Sequence, residues 1–172
     1  MIMTSLTIGQ YIGIRIVNDM QDSICWGIVK RVSHHEIEVD VIYRDGQKSS
    51  GCAIYNLDEI ASIEMNNLST QCMEILARKQ VNSTTACVVD VAKLSSISDI
   101  SAHVVSLLDD DGELASGFIT SIDDNTILIK CLDEFGRFDG MSLFSKNVVH
   151  HIRMNSIYEQ ELSLLFKTRG QK

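Results

Sequence analysis

Proline is absent from this chain of 172 residues. Because proline lacks a backbone N–H, its absence leaves every non-terminal amide available for strand pairing. Long apolar runs are absent too, and none approaches the ~20 residues that span a bilayer. The first ten residues, MIMTSLTIGQ, show no basic segment followed by an apolar one. We therefore expect a cytoplasmic protein without a membrane segment or a signal peptide.

Catalytic and metal-binding motifs are missing as well. The sequence contains no GxSxG, GxGxxG, P-loop or HExxH pattern. The pairs His34-His35 and His150-His151 cannot each chelate a metal, because adjacent residues of a strand point to opposite faces. The five cysteines include no CxxC, and their odd number argues against a disulfide framework. We therefore expect no catalytic, metal-binding or cofactor-binding residue.

Basic residues are scarce relative to acidic ones. The chain carries 15 Lys and Arg against 23 Asp and Glu, which gives a net charge of −8 and a pI near 5.0. Such a chain repels nucleic acid on average, and phosphate binding requires clustered Lys and Arg. The closest cluster is Lys30-Arg31. The charge therefore disfavours nucleic acid as a partner, although an acidic total is compatible with a local basic patch.

What the chain does contain is an internal repeat. The stretch GIVKRVSHHEIEVDVIYRDGQKSSG at 27–51 aligns with GFITSIDDNTILIKCLDEFGRFDG at 117–140, with one gap. Further identities follow in the same order: Ile63, Met65, Asn66, Gln71 and Leu76 align with Ile152, Met154, Asn155, Gln160 and Leu165. Chance similarity does not place glycines and apolar residues in one order with a single gap. We infer two copies of one unit.

The two copies predict two domains. We place the first domain at 1–80, a linker at 81–97 and the second domain at 98–172. Within the linker, residues 86–94 alternate enough to form a short strand or an extended pass.

Each copy shows five short strands and then a helix. The clearest strand is the third of the first copy, in which Ile37, Val39 and Val41 alternate with acidic residues. The helix of the second copy begins with a capping box, formed by Ser156 and Glu159. Five short strands suit a small, strongly bent barrel, because closure hides the strand edges.

The order of turns and glycines in the second copy matches a known pattern. HVVSLLDDDGELASGFITSIDDN, at 103–125, has the turn Asp111-Gly112, then a strand with Gly117, then Asp123 six residues later. This stretch resembles the first half of an Sm-like (LSm) domain. The resemblance implies a mainly β fold with α: two tandem five-stranded Sm-like or SH3-like barrels, each followed by a C-terminal helix.

RNA binding is the function that the resemblance implies, yet the ligand-binding residues differ. Sm-like RNA binders carry Arg-Gly before the last strand. The aligned residues here are Ser145-Lys146 in the second copy and Asn56-Leu57 in the first. RNA binding is therefore the alternative function, and its candidate residues are Lys30, Arg31, Arg44 and Lys48.

A protein partner is the leading expectation. The outer face of the strand at 126–132 is more apolar than its counterpart in the first copy, and two phenylalanines flank an arginine at the following hairpin. We predict a non-catalytic interaction or regulatory protein whose partner is another protein or a second copy of this chain. Its candidate partner-binding residues are Leu128, Leu132, Phe135, Arg137 and Phe138. A small-molecule or metal-dependent enzyme is the second alternative.

Overall fold

A computed structural model describes residues 6–17, 23–43, 48–79, 81, 85–94 and 100–170, except for the side chains of residues 48–50 and 93. The chain divides into two compact units, 1–80 and 81–172. Each unit holds one antiparallel sheet and ends in one α-helix, so the protein is mainly β with two helices.

The first unit is a five-stranded sheet followed by a helix. Its elements are β1 (Tyr11–Ile16), β2 (Cys25–Val32), β3 (Glu36–Ile42), β4 (Lys48–Asn56), β5 (Ile60–Met65) and α1 (Leu68–Lys79). The strands are antiparallel in the order β4-β3-β2-β1-β5. Each strand lies where the apolar alternation predicts one, because alternate residues of a half-buried strand face the core.

The core of the first unit is built from the inward positions of the strands. Ile37 and Val39 of β3 are fully buried, whereas the acidic side chains that alternate with them stay partly exposed. The other buried members are Ile12, Ile14 and Val29. Complete burial of one such side chain stabilises the fold by about 1.5–3 kcal/mol, which fixes the register of each strand.

The second unit has one strand more than the first. Its elements are β6 (Cys87–Asp90), β7 (Val105–Leu108), β8 (Glu113–Ile122), β9 (Thr126–Leu132), β10 (Phe138–Ser145), β11 (His151–Met154) and α2 (Ile157–Arg169). The sheet order is β10-β9-β8-β7-β11-β6. Strand β6 lies inside the segment 81–97, suggested above as a linker, and pairs with β11. Residues 87–94 of that segment therefore belong to the second unit.

Helix α2 begins as its capping box predicts. The backbone N–H of Ser156 donates to Glu159 Oε2 at 2.8 Å, and the helix starts at Ile157. Leu162 and Leu165 of the helix are buried.

The two units share a feature of backbone conformation at equivalent positions of the repeat. Asn66 and Asn155, which the alignment places on each other, both adopt a left-handed conformation, with φ of 56° and 62°. Asparagine tolerates this conformation better than most residues. Each asparagine makes the turn between the last strand and the helix of its unit, so the two units share their local geometry as well as their strand order.

Neither sheet closes into a barrel among the described residues. In the first unit no pairing joins the edge strands β4 and β5, which are connected by a 3-10 turn at Leu57–Glu59. In the second unit the edge strands are β10 and β6. The predicted closure is therefore not found in the described strands, because β6 takes the open side of β11 and leaves β10 uncovered. Neither α1 nor α2 has the length and hydrophobicity of a membrane-spanning helix.

Candidate protein-interaction surface

Strand β10 forms the exposed edge of the second sheet. Among the described strands it pairs only with β9, in a register that places Met141 opposite Lys130 and Leu143 opposite Leu128. Residues opposite each other in an antiparallel pair share one face of the sheet. The outer face of this edge therefore presents two rows of side chains, one row from each strand.

Large apolar side chains on this face are open to solvent. Phe138 is 56% exposed, Met141 55% and Leu143 65%, and the neighbouring Leu128 is half-buried. We call these four residues the β10 surface. Contiguous apolar side chains on one edge strand are unusual in a monomer, and they mark sites of contact with another molecule.

Helix α2 explains why only part of the outer face is open. Leu132 is buried against Val104 and Leu162, and the rings of Phe118 and Phe166 lie 5.0 Å apart. The sequence predicted Leu132 to contact a partner. In the structure it is instead covered by α2, because the helix packs across this end of β8 and β9.

The hairpin between β9 and β10 is ordered by one carboxylate. Asp133 accepts hydrogen bonds from the backbone N–H groups of Phe135 at 3.0 Å and Arg137 at 2.8 Å, and from Arg137 Nε at 2.7 Å. Burial raises the pKa of Asp133, but these hydrogen bonds outweigh it and the pKa is lowered overall. The hairpin also packs on α2, since a Cβ at Gly136 would lie 2.6 Å from Leu165 Cβ.

This arrangement leaves the predicted hairpin residues only partly available. The Arg137 guanidinium lies 5.4 Å from the Phe135 ring centroid and is paired with Asp133, and the Phe135 side chain is half-buried. Among Phe135, Arg137 and Phe138, the three predicted partner-binding residues of the hairpin region, Phe138 is the one exposed apolar side chain.

A lysine borders the β10 surface. Lys130 Nζ lies 5.0 Å from the ring centroid of Phe138 and 5.6 Å from that of Phe166. A cation over an aromatic face is worth roughly 0.5–1 kcal/mol at an exposed site. The contacts hold Phe138 against the sheet, so its exposed ring belongs to the same surface as Met141 and Leu143.

The corresponding face of the first unit is charged instead of apolar. Glu38 and Asp40 occupy the positions of Leu128 and Lys130. Lys30 Nζ lies 3.4 Å from Asp40 Oδ1 and 3.8 Å from Glu38 Oε1.

Two of the four RNA-binding candidates, Lys30 and Arg31, lie on this charged face. Arg31 contacts Glu38 at 3.2 Å and Glu36 at 3.7 Å, and its hydrogen bond lowers the pKa of Glu38. Arg44 and the side chain of Lys48 lie outside the described residues. Lys30 and Arg31 are thus already neutralised by carboxylates, which weakens their attraction for phosphate.

Sequence reasoning missed Met141 and Leu143. Their signal was present in the alternation of Met141-Ser-Leu143-Phe, which predicted a strand without showing which face would stay uncovered. That depends on where α2 packs and on which strand takes the sheet edge, and neither follows from local periodicity.

A histidine and an aspartate pair at the surface of the second unit. His150 Nδ1 lies 2.7 Å from Asp110 Oδ1 at the surface. In the part of the chain that the structure describes, no three His, Cys, Asp or Glu side chains converge so that they could hold a metal ion. No family model, curated protein or solved structure matches the chain.

Proposed function

We propose that this protein is a non-catalytic interaction module, and that it binds a protein partner through the β10 surface. The observation that carries the proposal is the exposure of Phe138, Met141 and Leu143, each above half, on one edge strand. Covering them would remove a substantial apolar area from water, at roughly 25 cal/mol per Å².

The free edge supports the same proposal. An edge strand offers unpaired N–H and C=O groups to an incoming strand, and side chains that alternate along it supply specificity. Met141 and Leu143 are alternate residues of β10 and lie on one face. A partner that adds a strand here gains backbone hydrogen bonds and apolar contacts together.

We propose further that each unit is a diverged Sm-like domain and that the protein is cytoplasmic. The strand order β4-β3-β2-β1-β5, with its counterpart in the second unit, and the positions of Gly117 and Asp123 support the Sm-like assignment. RNA binding, the alternative, is less well supported because Lys30 and Arg31 are engaged by Glu38, Asp40 and Glu36.

The chain supplies its own control for testing the β10 surface. Ile54 of β4 is the counterpart of Leu143 and is 58% exposed, but it lies beside the charged face of the first unit. The variants Leu143→Lys and Ile54→Lys therefore place the same charge at equivalent edge positions. Circular dichroism and thermal melting should show both variants folded, since both positions are exposed.

Cross-linking in cell extract, followed by quantitative mass spectrometry, should then separate the variants. We expect at least one protein, including the chain itself, to be cross-linked by the wild type and by Ile54→Lys and lost with Leu143→Lys. If all three forms cross-link the same proteins equally, the β10 surface is not the binding site and the proposal fails.

A further inference from the structure

The backbone of β10 reveals which residues face its free edge. The Lys146 N–H donates to the Asn125 carbonyl at 2.8 Å, one step beyond the pair of Ser145 with Thr126. Hydrogen-bonded and non-hydrogen-bonded pairs alternate along an antiparallel ladder. The backbone groups of Ser142 and Phe144 therefore point towards β9, and those of the three alternate residues point away from it. The outward residues are Met141, Leu143 and Ser145.

These outward backbone groups coincide with exposed side chains. Met141, Leu143 and Ser145 are all exposed. The Ser145 carbonyl already accepts from the Val148 N–H at 3.1 Å, so this residue offers its N–H alone. Met141 and Leu143 each offer a donor and an acceptor. The outward stretch runs over five residues, and Leu143 is its centre.

The part of β10 that follows Gly140 lacks the features by which edge strands avoid pairing, because Asp139 and the register shift of the strand both lie before Met141. Residues 140–145, GMSLFS, contain no charge and no proline. The opposite edge, β6, has only four residues and ends at Asp90, whose carboxylate accepts from the Ala92 N–H at 2.9 Å. Short length and an acidic end protect an edge, whereas a long uncharged edge invites pairing.

We propose that β10 pairs antiparallel with β10 of a second copy of this chain. The two copies are related by a two-fold axis that passes between their Leu143 residues. This inference rests on the proposed function and names its partner. In this register Leu143 lies opposite its own symmetry mate, and Met141 lies opposite Ser145. The two Leu143 residues then exchange both of their backbone hydrogen bonds, and each Ser145 N–H donates to the Met141 carbonyl of the other copy. The two apolar stripes become continuous on one face of the joined sheet.

Charge favours a second copy as the occupant. The chain has a net charge of −8, so two copies repel each other unless they meet at an uncharged or complementary surface. Residues 140–145 are uncharged, Asp139 precedes them and Lys146 follows them. An antiparallel two-fold pairing brings Asp139 of each copy next to Lys146 of the other. The strand is thus complementary in charge to itself only when the two copies run antiparallel.

A thiol cross-link at the axis tests the register. Cys52 and Cys87 are exposed and are first changed to Ser. In that background, a short bifunctional maleimide should join two Leu143→Cys chains into a covalent dimer, because Cα atoms of a hydrogen-bonded pair are about 5.5 Å apart, whereas the Cβ atoms of such a pair lie too far apart for an unstrained disulfide. Ile54→Cys, at the equivalent edge of the first unit, is the matched control and should remain uncross-linked.

Mass measurement without a cross-link tests the dimer itself. Light scattering during size exclusion should give the wild-type chain twice its 19.2 kDa mass. Leu143→Lys, which sets two like charges opposite each other, should raise the dimer dissociation constant at least about tenfold, whereas Ile54→Lys should not. A monomer, a larger ring, or a dimer in which Leu143→Cys fails to cross-link would overturn the inference.

The two proposals can fail separately. If the wild type is monomeric but Leu143→Lys still loses a different cross-linked protein, then the second copy is excluded and the β10 surface remains a binding site. If Leu143→Lys changes neither mass nor cross-linked proteins, both proposals fail.

Discussion

Arg153 of β11 donates a hydrogen bond from Nε to Oε1 of Glu159 in α2 at 2.8 Å, and Glu159 is 1% exposed. Ser106 Oγ donates to the same carboxylate oxygen at 2.7 Å, and the Ser156 N–H reaches Oε2 at 2.8 Å. Arg153 also contacts Glu113 at 3.0 Å. This cluster ties the first turn of α2 to β7, β8 and β11, and so fixes the helix that decides how much of the outer face stays open.

Removing the charge of Glu159 should destabilise the second unit. Glu159→Gln keeps the shape and a hydrogen-bond acceptor for the Ser156 N–H, but it leaves Arg153 with the Glu113 carboxylate and the Ser106 hydroxyl and without its buried carboxylate partner. Breaking one partner of a buried pair costs about 3 kcal/mol or more. We expect a loss near 3 kcal/mol, measured by urea unfolding. Glu74→Gln is the control, because its pair with Arg78 lies at the surface, and it should cost under about 0.5 kcal/mol.

Lowering the pH should reduce the stability that the Glu159 carboxylate contributes. Burial raises the pKa of Glu159, but hydrogen bonds from Ser156, Ser106 and Arg153 outweigh it, so the pKa lies below 4.5. A carboxyl whose folded pKa is lowered contributes stability above its unfolded pKa and loses it as pH falls through the folded value. The stability gap between wild type and Glu159→Gln should therefore shrink as pH falls below 4.5. A gap that stays constant under acid would show that the charge of Glu159 is not responsible.

Local periodicity predicted the strands of both units. Apolar residues such as Ile37 and Val39 alternate with polar ones in the sequence, as buried and exposed positions alternate along a strand. The capping residues Ser156 and Glu159 likewise marked the start of α2. The contacts that shape the candidate site join residues that are far apart in sequence. Glu159 meets Ser106 across 53 positions of sequence, and β6 joins β11 across more than 60. No local pattern encodes such pairings.

The exposure of the β10 surface was predictable only in part. The apolar character of Leu128, Leu132 and Phe138 indicated a surface that differs from the first unit. Whether each side chain is open depends on the packing of α2, which covers Leu132 and leaves Leu143 uncovered. The sequence pattern therefore indicated that the outer face of β9 is apolar, but it did not show that Leu132 is buried and Leu143 exposed.

Nucleic acid should bind poorly to this chain. Lys30 and Arg31 are paired with Asp40, Glu38 and Glu36, and the net charge is −8. In a filter-binding assay at low salt we expect no retention of single-stranded RNA. Retention that falls steeply with added salt, and that is lost in a Lys30→Gln, Arg31→Gln double variant, would instead support RNA binding.

Three glycines should differ in their tolerance of a methyl group. A Cβ at Gly117 would overlap the carbonyl oxygen of Lys130, and one at Gly27, its counterpart, would lie 2.9 Å from Val39 Cβ. A Cβ at Gly51 would have no other atom within 4 Å. Because the obstacle at Gly117 is backbone on the paired strand, relief requires the sheet to shift, and alanine there should cost about 3 kcal/mol.

Gly27→Ala should cost about 1–2 kcal/mol, because Val39 Cβ and the Asp40 carbonyl oxygen, at 2.9 and 3.0 Å, both have to shift, but by less than the Lys130 carbonyl at Gly117. Gly51→Ala should stay within about 0.5 kcal/mol. Urea midpoints of the three variants should fall in that order. Equal midpoints for Gly117→Ala and Gly51→Ala would mean that the close approach of β8 to β9 at Gly117 is not required by the fold.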